Sequence, residues 1–495
     1  MRLTNVSQMH VQAGRLLSYS LTVQEAAEPG QRIPVSFDQD RHVSFGSRPG
    51  SWMAAAFRLP VHASRETVAE AWHAVIARHG ALRSVFGWKQ PGAPSKRRDD
   101  ASPVCGGPDT ELELTPVEVL GGAWEPLSPA EPLPPQPERT GHHDAAGIAV
   151  QQVPSLTAEE IRSALRSHFD AVCDPFARPS HRLCLIEETA DGGPPQVVIG
   201  SDHSHVDAWS LLVLMRDLSA AVEDLLAGRS PGEALPPAES FSVHSAALEA
   251  RPFPPAEIVA RWREILDSGG GAMPTFPLDL GGSSPAPEVV EVRDVFDAEE
   301  LADVEAHAKE KGVRLIAVAV SVMTKLAHEL VGEPLRAVFP VHSRYDARWY
   351  DAVGWFITNS VIESADPDYH ACYAAVKEAV RLGSHPLAPI MRPYGGMPQD
   401  PGMFAMSWLD HRKLPVNVPE DLHPQHVSAM IRTDGVMVWF VINESGMHLR
   451  CRYPDTRQAR RAMRTWLAGL VYGLRGPLEG MRKPAGRSRA PEQAP

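Results

Sequence analysis

Apolar residues recur at two spacings along this chain, and the changes of spacing mark its elements. Met53 to Leu59 is a short strand-like run. Behind Ser64, which suits an N-cap, Val68, Trp72, Val75 and Ile76 fall at i, i+4, i+7 and i+8. That spacing predicts a helix, which Gly80 can close. Val85–Phe86 is a further short apolar run, and a helical pattern extends from Ala158 to about Ala171. Two strands are expected at Leu183–Glu187 and Gln196–Ser201. The second runs into Asp202-His203-Ser204-His205-Val206-Asp207-Ala208-Trp209, behind which Leu211, Leu214, Leu218, Val222 and Leu225 form one face of an amphipathic helix. Later come a helix around Arg261–Leu266, a strand at Val289–Phe296, a helix from Ala298, a helix at Leu315–Leu330 that is apolar nearly all round, and a strand at Leu335–Val341. Val436–Asn443 and Met447–Tyr453 flank Glu444-Ser445-Gly446 and read as a hairpin. A last helix, about Thr456 to Leu474, carries Met463, Trp466, Leu467, Leu470 and Val471.

The pattern fails from about Lys89 to Val153, where Pro and Gly are frequent and aliphatic residues scarce. This reads as a loop or disordered insertion, with His142 and His143 in a polar context that gives them no function. Residues Arg229–Pro237 are again rich in Pro and Gly and suit a link. No solenoid-type repeat is present. The two halves each mix strands and helices, so two α/β lobes are expected: 1–230, containing the 89–153 insertion, and 238–480, followed by a disordered tail at 483–495.

Composition narrows the class. A chain of 495 residues suggests two or three folding units at roughly 150 residues each. With 43% hydrophobic and 22% charged residues it is not a wholly disordered chain. Lys and Arg number 48 against 61 Asp and Glu, a formal charge of −13, which argues against nucleic acid as a partner. Cys105, Cys173, Cys184, Cys372 and Cys451 are dispersed without a CxxC pair and read as reduced thiols. The longest strongly apolar run, Leu315 to Met323, is too short to span a bilayer, and the first twenty residues hold no continuous apolar stretch of secretory type. The expected location is cytoplasmic, with work at a membrane surface open to it if the substrate is a lipid.

The segment from Asp202 to Trp209 lies where a buried strand ends and a helix begins, a place suited to reactive side chains. Its residues admit two readings. His203, His205 and Asp207 alternate, so an extended chain would point them to one face as metal ligands. The HxHxDH run of β-lactamase-type metallo-hydrolases has a ligand His where this chain has Ala208, and no other His/Asp cluster shows ligand spacing, so no metal is expected. The other reading is an HxxxD loop. His203, with an imidazole that titrates near neutrality, takes a proton from an attacking hydroxyl or amine, and Asp207 holds the loop by pairing with an Arg elsewhere. Ser204 lacks a G-x-S-x-G elbow and is not read as a nucleophile. His205 reads as a packing residue of the loop.

The segment resembles the HHxxxDG motif of the condensation-domain superfamily. That group includes chloramphenicol acetyltransferase-like enzymes, nonribosomal peptide condensation domains, plant BAHD acyltransferases and polyketide-associated acyltransferases. The form DHxHxD is most similar to the last, in particular to those that esterify trehalose glycolipids. Asp202 stands in place of the first His, and Ala208 in place of the usual Gly. Further segments match in order. WHAVIARHGALRSVF (Trp72 to Phe86) resembles the first condensation motif, and DPFARPSHRL (Asp174 to Leu183) the lead-in to the strand before the loop. FPVHSRYD with DAVGWFITNSV (Phe339 to Val361) resembles a segment with an Arg followed by a G-x-F-x-N core, and MFAMSWLD (Met403 to Asp410) a late strand of the second lobe.

The resemblance implies an α/β (α+β) fold of two chloramphenicol acetyltransferase-like lobes, each a mixed sheet with helices, and an active-site tunnel between them. It implies that His203 is catalytic, that Asp207 and Arg344 support the site, and that Trp209, Gly354, Trp355 and Asn359 line the substrate tunnel. It implies a free-standing acyltransferase that acts as a monomer and binds no cofactor. The donor would be an acyl thioester on CoA or on the phosphopantetheine arm of an acyl carrier protein, and the acceptor an alcohol or amine, in lipid or natural-product biosynthesis. Ester and amide formation would use the same base. The rival from another class is a non-catalytic condensation-like module that binds a carrier protein.

Overall fold

The computed structural model describes residues 2–26, 33–89, 111–129 and 154–482. In chain order they form β1 (Arg2–Asn5), β2 (Arg15–Glu25), α1 (Phe37–Val43), β3 (Trp52–Arg58), α2 (Arg65–Arg78), β4 (Ser84–Lys89), β5 (Glu111–Pro126), α3 (Ala158–Val172), β6 (His181–Glu187), β7 (Gln196–Asp202), α4 (Ala208–Leu226), α5 (Phe241–Glu249) and α6 (Ala256–Ser268). The second half continues with β8 (Ala286–Asp297), α7 (Ala298–Glu310), α8 (Leu315–Val331), β9 (Leu335–His342), β10 (Ile357–Ser364), α9 (Tyr369–Gly383), α10 (Ala388–Met391), β11 (Phe404–Asp410), β12 (Gln425–Ser428), β13 (Arg432–Thr433), β14 (Val436–Asn443), β15 (Gly446–Pro454) and α11 (Arg457–Arg482).

These elements pack as two compact units. The first takes the described residues of 1–253 together with 342–357 and 414–431. The second takes 254–341, 358–413 and the described residues from 432 on. The Pro/Gly-rich segment at 229–237 therefore lies inside the first unit, and the chain returns to that unit twice. The physical reason is local: 342–357 carries partners for a buried carboxylate at the head of α4, and 414–431 carries β12, which inserts into the first sheet.

That sheet has eight strands in the order β1-β12-β3-β7-β6-β2-β5-β4. β12 runs parallel to β1 and antiparallel to β3, with Gln425 opposite Arg2 and Ala56. β7 lies antiparallel between β3 and β6, with Asp202 opposite Trp52 and Ile199 opposite Leu183. Every residue of β7 is buried because both faces are covered. Val197 and Ile199 share a core with Trp72 and Val75 of α2 and with Leu211 and Leu214 of α4. Val198 packs on the opposite face with Ile161, Leu165 and Phe169 of α3. Gly200 leaves room for the Phe169 ring, whose carbons would lie 2.8 Å from a Cβ at that position. Local signals start the covering helices. Ser64 caps α2 by accepting from the Thr67 amide, and Thr157 with Glu160 forms a capping box on α3.

The second unit is a seven-stranded mixed sheet, β10-β9-β11-β14-β15-β8-β13. β14 and β15 form the expected hairpin, with Asn443 opposite Gly446. Their residues Val438, Phe440, Leu449 and Cys451 share a core with Val320 and Met323 of α8 and with Met463, Trp466 and Leu470 of α11. Two mixed sheets with covering helices make the chain an α/β fold, as expected.

One sequence expectation needs correction. Within the 89–153 stretch read as a loop, Glu111–Pro126 is a 16-residue strand paired with β2 and β4. Leu112, Leu114 and Val117 are buried while Glu111, Glu113 and Glu118 are exposed, an alternation that changes phase across Thr115–Pro116 and that the Pro-rich flanks conceal. Residues 90–110 and 130–153, with His142 and His143, and the tail at 483–495 lie outside the described residues.

Candidate active site

β7 ends at Asp202 and α4 begins at Ala208, so residues 203–207 carry the chain between them. Each side chain of this loop goes to a different partner. His203 is half-buried, and its backbone amide donates to the Ser51 carbonyl at 3.0 Å. Its Nδ1–H donates to the Val206 carbonyl at 2.8 Å. That bond fixes the tautomer, so Nε2 carries the lone pair, and Nε2 has no hydrogen-bond partner among the described residues. Burial pushes the His203 pKa below its ordinary value, which keeps the ring neutral. The indole of Trp355 stacks on it at 4.2 Å between centroids and 23° between planes.

Asp207 is the N-cap of α4 and accepts from the Ser210 amide at 2.7 Å. Arg344 meets it bidentately, Nη1 to Oδ2 at 2.6 Å and Nη2 to Oδ1 at 3.1 Å, and the Phe356 amide donates to Oδ2 at 3.1 Å. Four donors thus saturate a carboxylate whose side chain is 1% exposed, against 0% for Arg344. Burial raises the Asp207 pKa, but the Arg344 charge and hydrogen bonds outweigh it and hold the carboxyl below the usual range. Arg344 also donates to the Trp349 and Ala352 carbonyls and to Ser210 Oγ, and lies over the Phe356 ring at 3.9 Å. Ser210 Oγ donates to the Gly354 carbonyl at 2.9 Å and accepts from the Gly354 amide at 3.0 Å. These bonds tie the loop 342–357 to the first turn of α4.

The other loop residues are inward-facing. His205 is 1% exposed, donates from Nε2 to the Ser84 carbonyl at 3.1 Å and takes the Ser180 hydroxyl on Nδ1 at 2.9 Å. Burial lowers its pKa to about 4. Ser204 is fully buried and donates to Asp202 Oδ1 at 2.5 Å. His203, His205 and Asp207 therefore do not converge on one point, as metal ligands from the alternating pattern would.

Of the residues singled out in the sequence, His203, Asp207, Arg344, Trp209, Gly354 and Trp355 all come together in the first unit. Trp209 donates from Nε1 to the Tyr350 carbonyl at 3.0 Å and packs edge-on to His342. Gly354 sits where a Cβ would be 2.3 Å from the Phe241 ring, so its role is close packing. Asn359 lies on β10 and belongs to the second unit.

Four residues escaped the sequence reading. Gln39 of α1 is 2% exposed and donates to the Ser204 carbonyl at 2.8 Å. His42, three residues on, lies 3.4 Å from Asp202 Oδ1 through Nε2, and Arg48 donates to its Nδ1 at 3.0 Å. Ser210 bridges Gly354 and Arg344. Ser210 carries a local signal, its place three residues behind the capping Asp, and Gln39 another, its place in a capping box with Ser36, although that signal does not point to the loop. Gln39, His42 and Arg48 are about 160 positions from the loop.

No family model matches the sequence, and no curated protein matches it either. Solved structures do. PapA2 acyl transferase aligns over 97% of this chain and 100% of its own, with a TM-score of 0.74 at 18% identity. The X-domain from teicoplanin biosynthesis aligns over 92% and 97%, with a TM-score of 0.62 at 17% identity. The first condensation domain of the calcium-dependent antibiotic synthetase aligns over 91% and 98%, with a TM-score of 0.61 at 15% identity. Likeness over nearly the whole length of each, together with the two mixed sheets, shows that this protein has the fold of the condensation-domain and chloramphenicol acetyltransferase-like superfamily.

Proposed function

We propose that the protein is a condensation-type acyltransferase with His203 as its general base. The observation that carries this is the His203 ring, neutral and anchored through Nδ1, with the Nε2 lone pair unengaged. The donor is an acyl thioester of CoA or of a phosphopantetheinyl carrier protein, and the acceptor an alcohol or amine of lipid or natural-product metabolism. Nε2 takes the proton of the acceptor O–H or N–H as that atom adds to the thioester carbonyl carbon. The tetrahedral oxyanion collapses, the C–S bond breaks, and the proton passes from the imidazolium to the leaving sulfur. An ester or amide and a free thiol result, so atoms balance with donor and acceptor alone.

General-base help of this kind contributes roughly 10²–10⁴-fold. Holding donor and acceptor together supplies on the order of 7–11 kcal/mol more. Asp207 has no part in the proton transfer in this scheme, because its oxygens are fully used by Arg344 and two amides. The likeness to PapA2 acyl transferase supports the reaction class. The four described cysteines are buried and unpaired, which suits a reducing cytoplasm. Among the described residues no helix is long and apolar enough to cross a membrane.

Intact-protein mass spectrometry tests the reading. Acyl-loaded carrier protein and acyl-CoA are each incubated with candidate alcohols and amines, using wild type and His203→Ala. Loss of the acyl group with wild type only, matched by an acylated acceptor, is the expected result and identifies the donor. Equal loss with His203→Ala refutes the base. No loss from either donor shifts the reading to a non-catalytic module that binds a carrier protein.

A further inference from the structure

Trp355 was expected to line a passage for substrate, yet its indole is spent on the His203 ring. One face covers the imidazole at 4.2 Å and 23°. The edge is fixed because Nε1–H donates to the Ile357 carbonyl at 2.7 Å. His42 approaches the same indole at 5.0 Å and 62°. His42 is itself held: Arg48 donates to its Nδ1 and to its carbonyl, each at 3.0 Å, so its remaining ring proton sits on Nε2, towards Asp202 Oδ1. His203, Trp355, His42 and Arg48 thus form one packed series, clamped at both ends.

We infer that Trp355 is a positioning residue for the proposed base, presenting its π-face to the imidazolium that His203 becomes during transfer. The inference rests on the reading of His203 as the base. The physical argument has two parts. With Nδ1 tied to Val206 and one face blocked by a locked indole, the ring cannot swing, so Nε2 keeps one direction. The indole face also attracts a cation within about 6 Å of its centroid, an interaction that grows as His203 gains charge and is weak while the ring is neutral. Such a group raises kcat without changing ground-state binding. A wall of the substrate passage would do the reverse.

The test compares wild type, Trp355→Leu and His203→Ala in steady-state acyl transfer over a range of pH. Trp355→Leu should lower kcat roughly 2- to 30-fold with KM little changed. The acid limb of its kcat/KM profile should move to lower pH, because the face that favours the cation is gone. Two other groups bear on that limb, His42 of α1 and Asp202 at the end of β7, with Arg48 touching His42 and not His203. All are intact in Trp355→Leu. A raised KM with unchanged kcat, or an unmoved acid limb, overturns the inference. If His203→Ala turns over like wild type, the base itself is wrong; if His203→Ala is inactive while Trp355→Leu is unimpaired, only this inference falls. A measurement on wild type covers the case in which Trp355→Leu does not fold. With 13Cε1-labelled histidine, the His203 Hε1 resonance, assigned by its absence in His203→Gln, should be shifted upfield by the indole ring current. An ordinary shift refutes the stacking.

Discussion

Replacing Asp207 by Asn isolates the charge of the Asp207–Arg344 pair from the cap. Asn caps a helix about as well as Asp, so α4 keeps its first turn. What changes is that Arg344, buried to 0% side-chain exposure, loses its one carboxylate partner among the described residues. Removing one member of a buried ion pair costs about 3–5 kcal/mol. At roughly 2 °C per kcal/mol for a unit of this size, the melting temperature should fall by about 6–10 °C. Differential scanning calorimetry of wild type, Asp207→Asn, Arg344→Met and the double variant reads this out. The double variant should recover much of the loss, because it leaves no unpaired buried charge. The pH dependence gives a second check. Arg344 holds the folded-state pKa of Asp207 below its unfolded value of about 3.9, so the pair's contribution is present above that pH. It is lost as pH falls through the depressed folded value, and the gap between wild type and Asp207→Asn should narrow there. A single variant that melts within about 1 °C of wild type at pH 7 would refute the account.

Activity and packing give further expectations. Burial depresses the His203 pKa, so kcat/KM should hold from neutral pH to below about 6.5, the ordinary imidazole value; a pH profile with its acid midpoint above that value contradicts the site. His205 and His244 are buried neutral, each with its pKa lowered to about 4. Between about pH 6.5 and 4 the unfolded chain binds their protons and the folded one does not, so stability should fall as pH drops through that window, by up to roughly 1.4 kcal/mol per pH unit per group. Urea midpoints across the range measure it, and a flat profile rejects it. Gly354→Ala should lose about 1–3 kcal/mol, because its Cβ would lie 2.3 Å from Phe241; an unchanged urea midpoint would show that the ring can move aside. Ser210→Ala should lose about 1–3 kcal/mol by leaving the buried Gly354 amide and carbonyl without their hydroxyl partner, checked in the same way.

Local physics in the sequence settled the elements that are long and either periodic or strongly apolar. α2, α3 and α4 follow from apolar spacing behind a capping side chain, α8 from a long run that is apolar nearly all round, and the β14–β15 hairpin from the turn between two apolar runs. The loop of His203 and Asp207 was legible because both lie within five residues of one strand end. β2 and β5 were not legible. Their apolar residues alternate weakly, and each is stabilised by a strand distant in the chain. The same limit governs the site. That Arg344 meets Asp207 across 137 positions, that Trp355 stacks on His203, and that His42 and Gln39 sit beneath the loop depend on how separate segments pack. Hydrogen-bond geometry and burial are properties of those contacts. The sequence could therefore name a histidine able to act as a base, but only the tertiary structure decided which nitrogen carries its lone pair and what holds the ring in place.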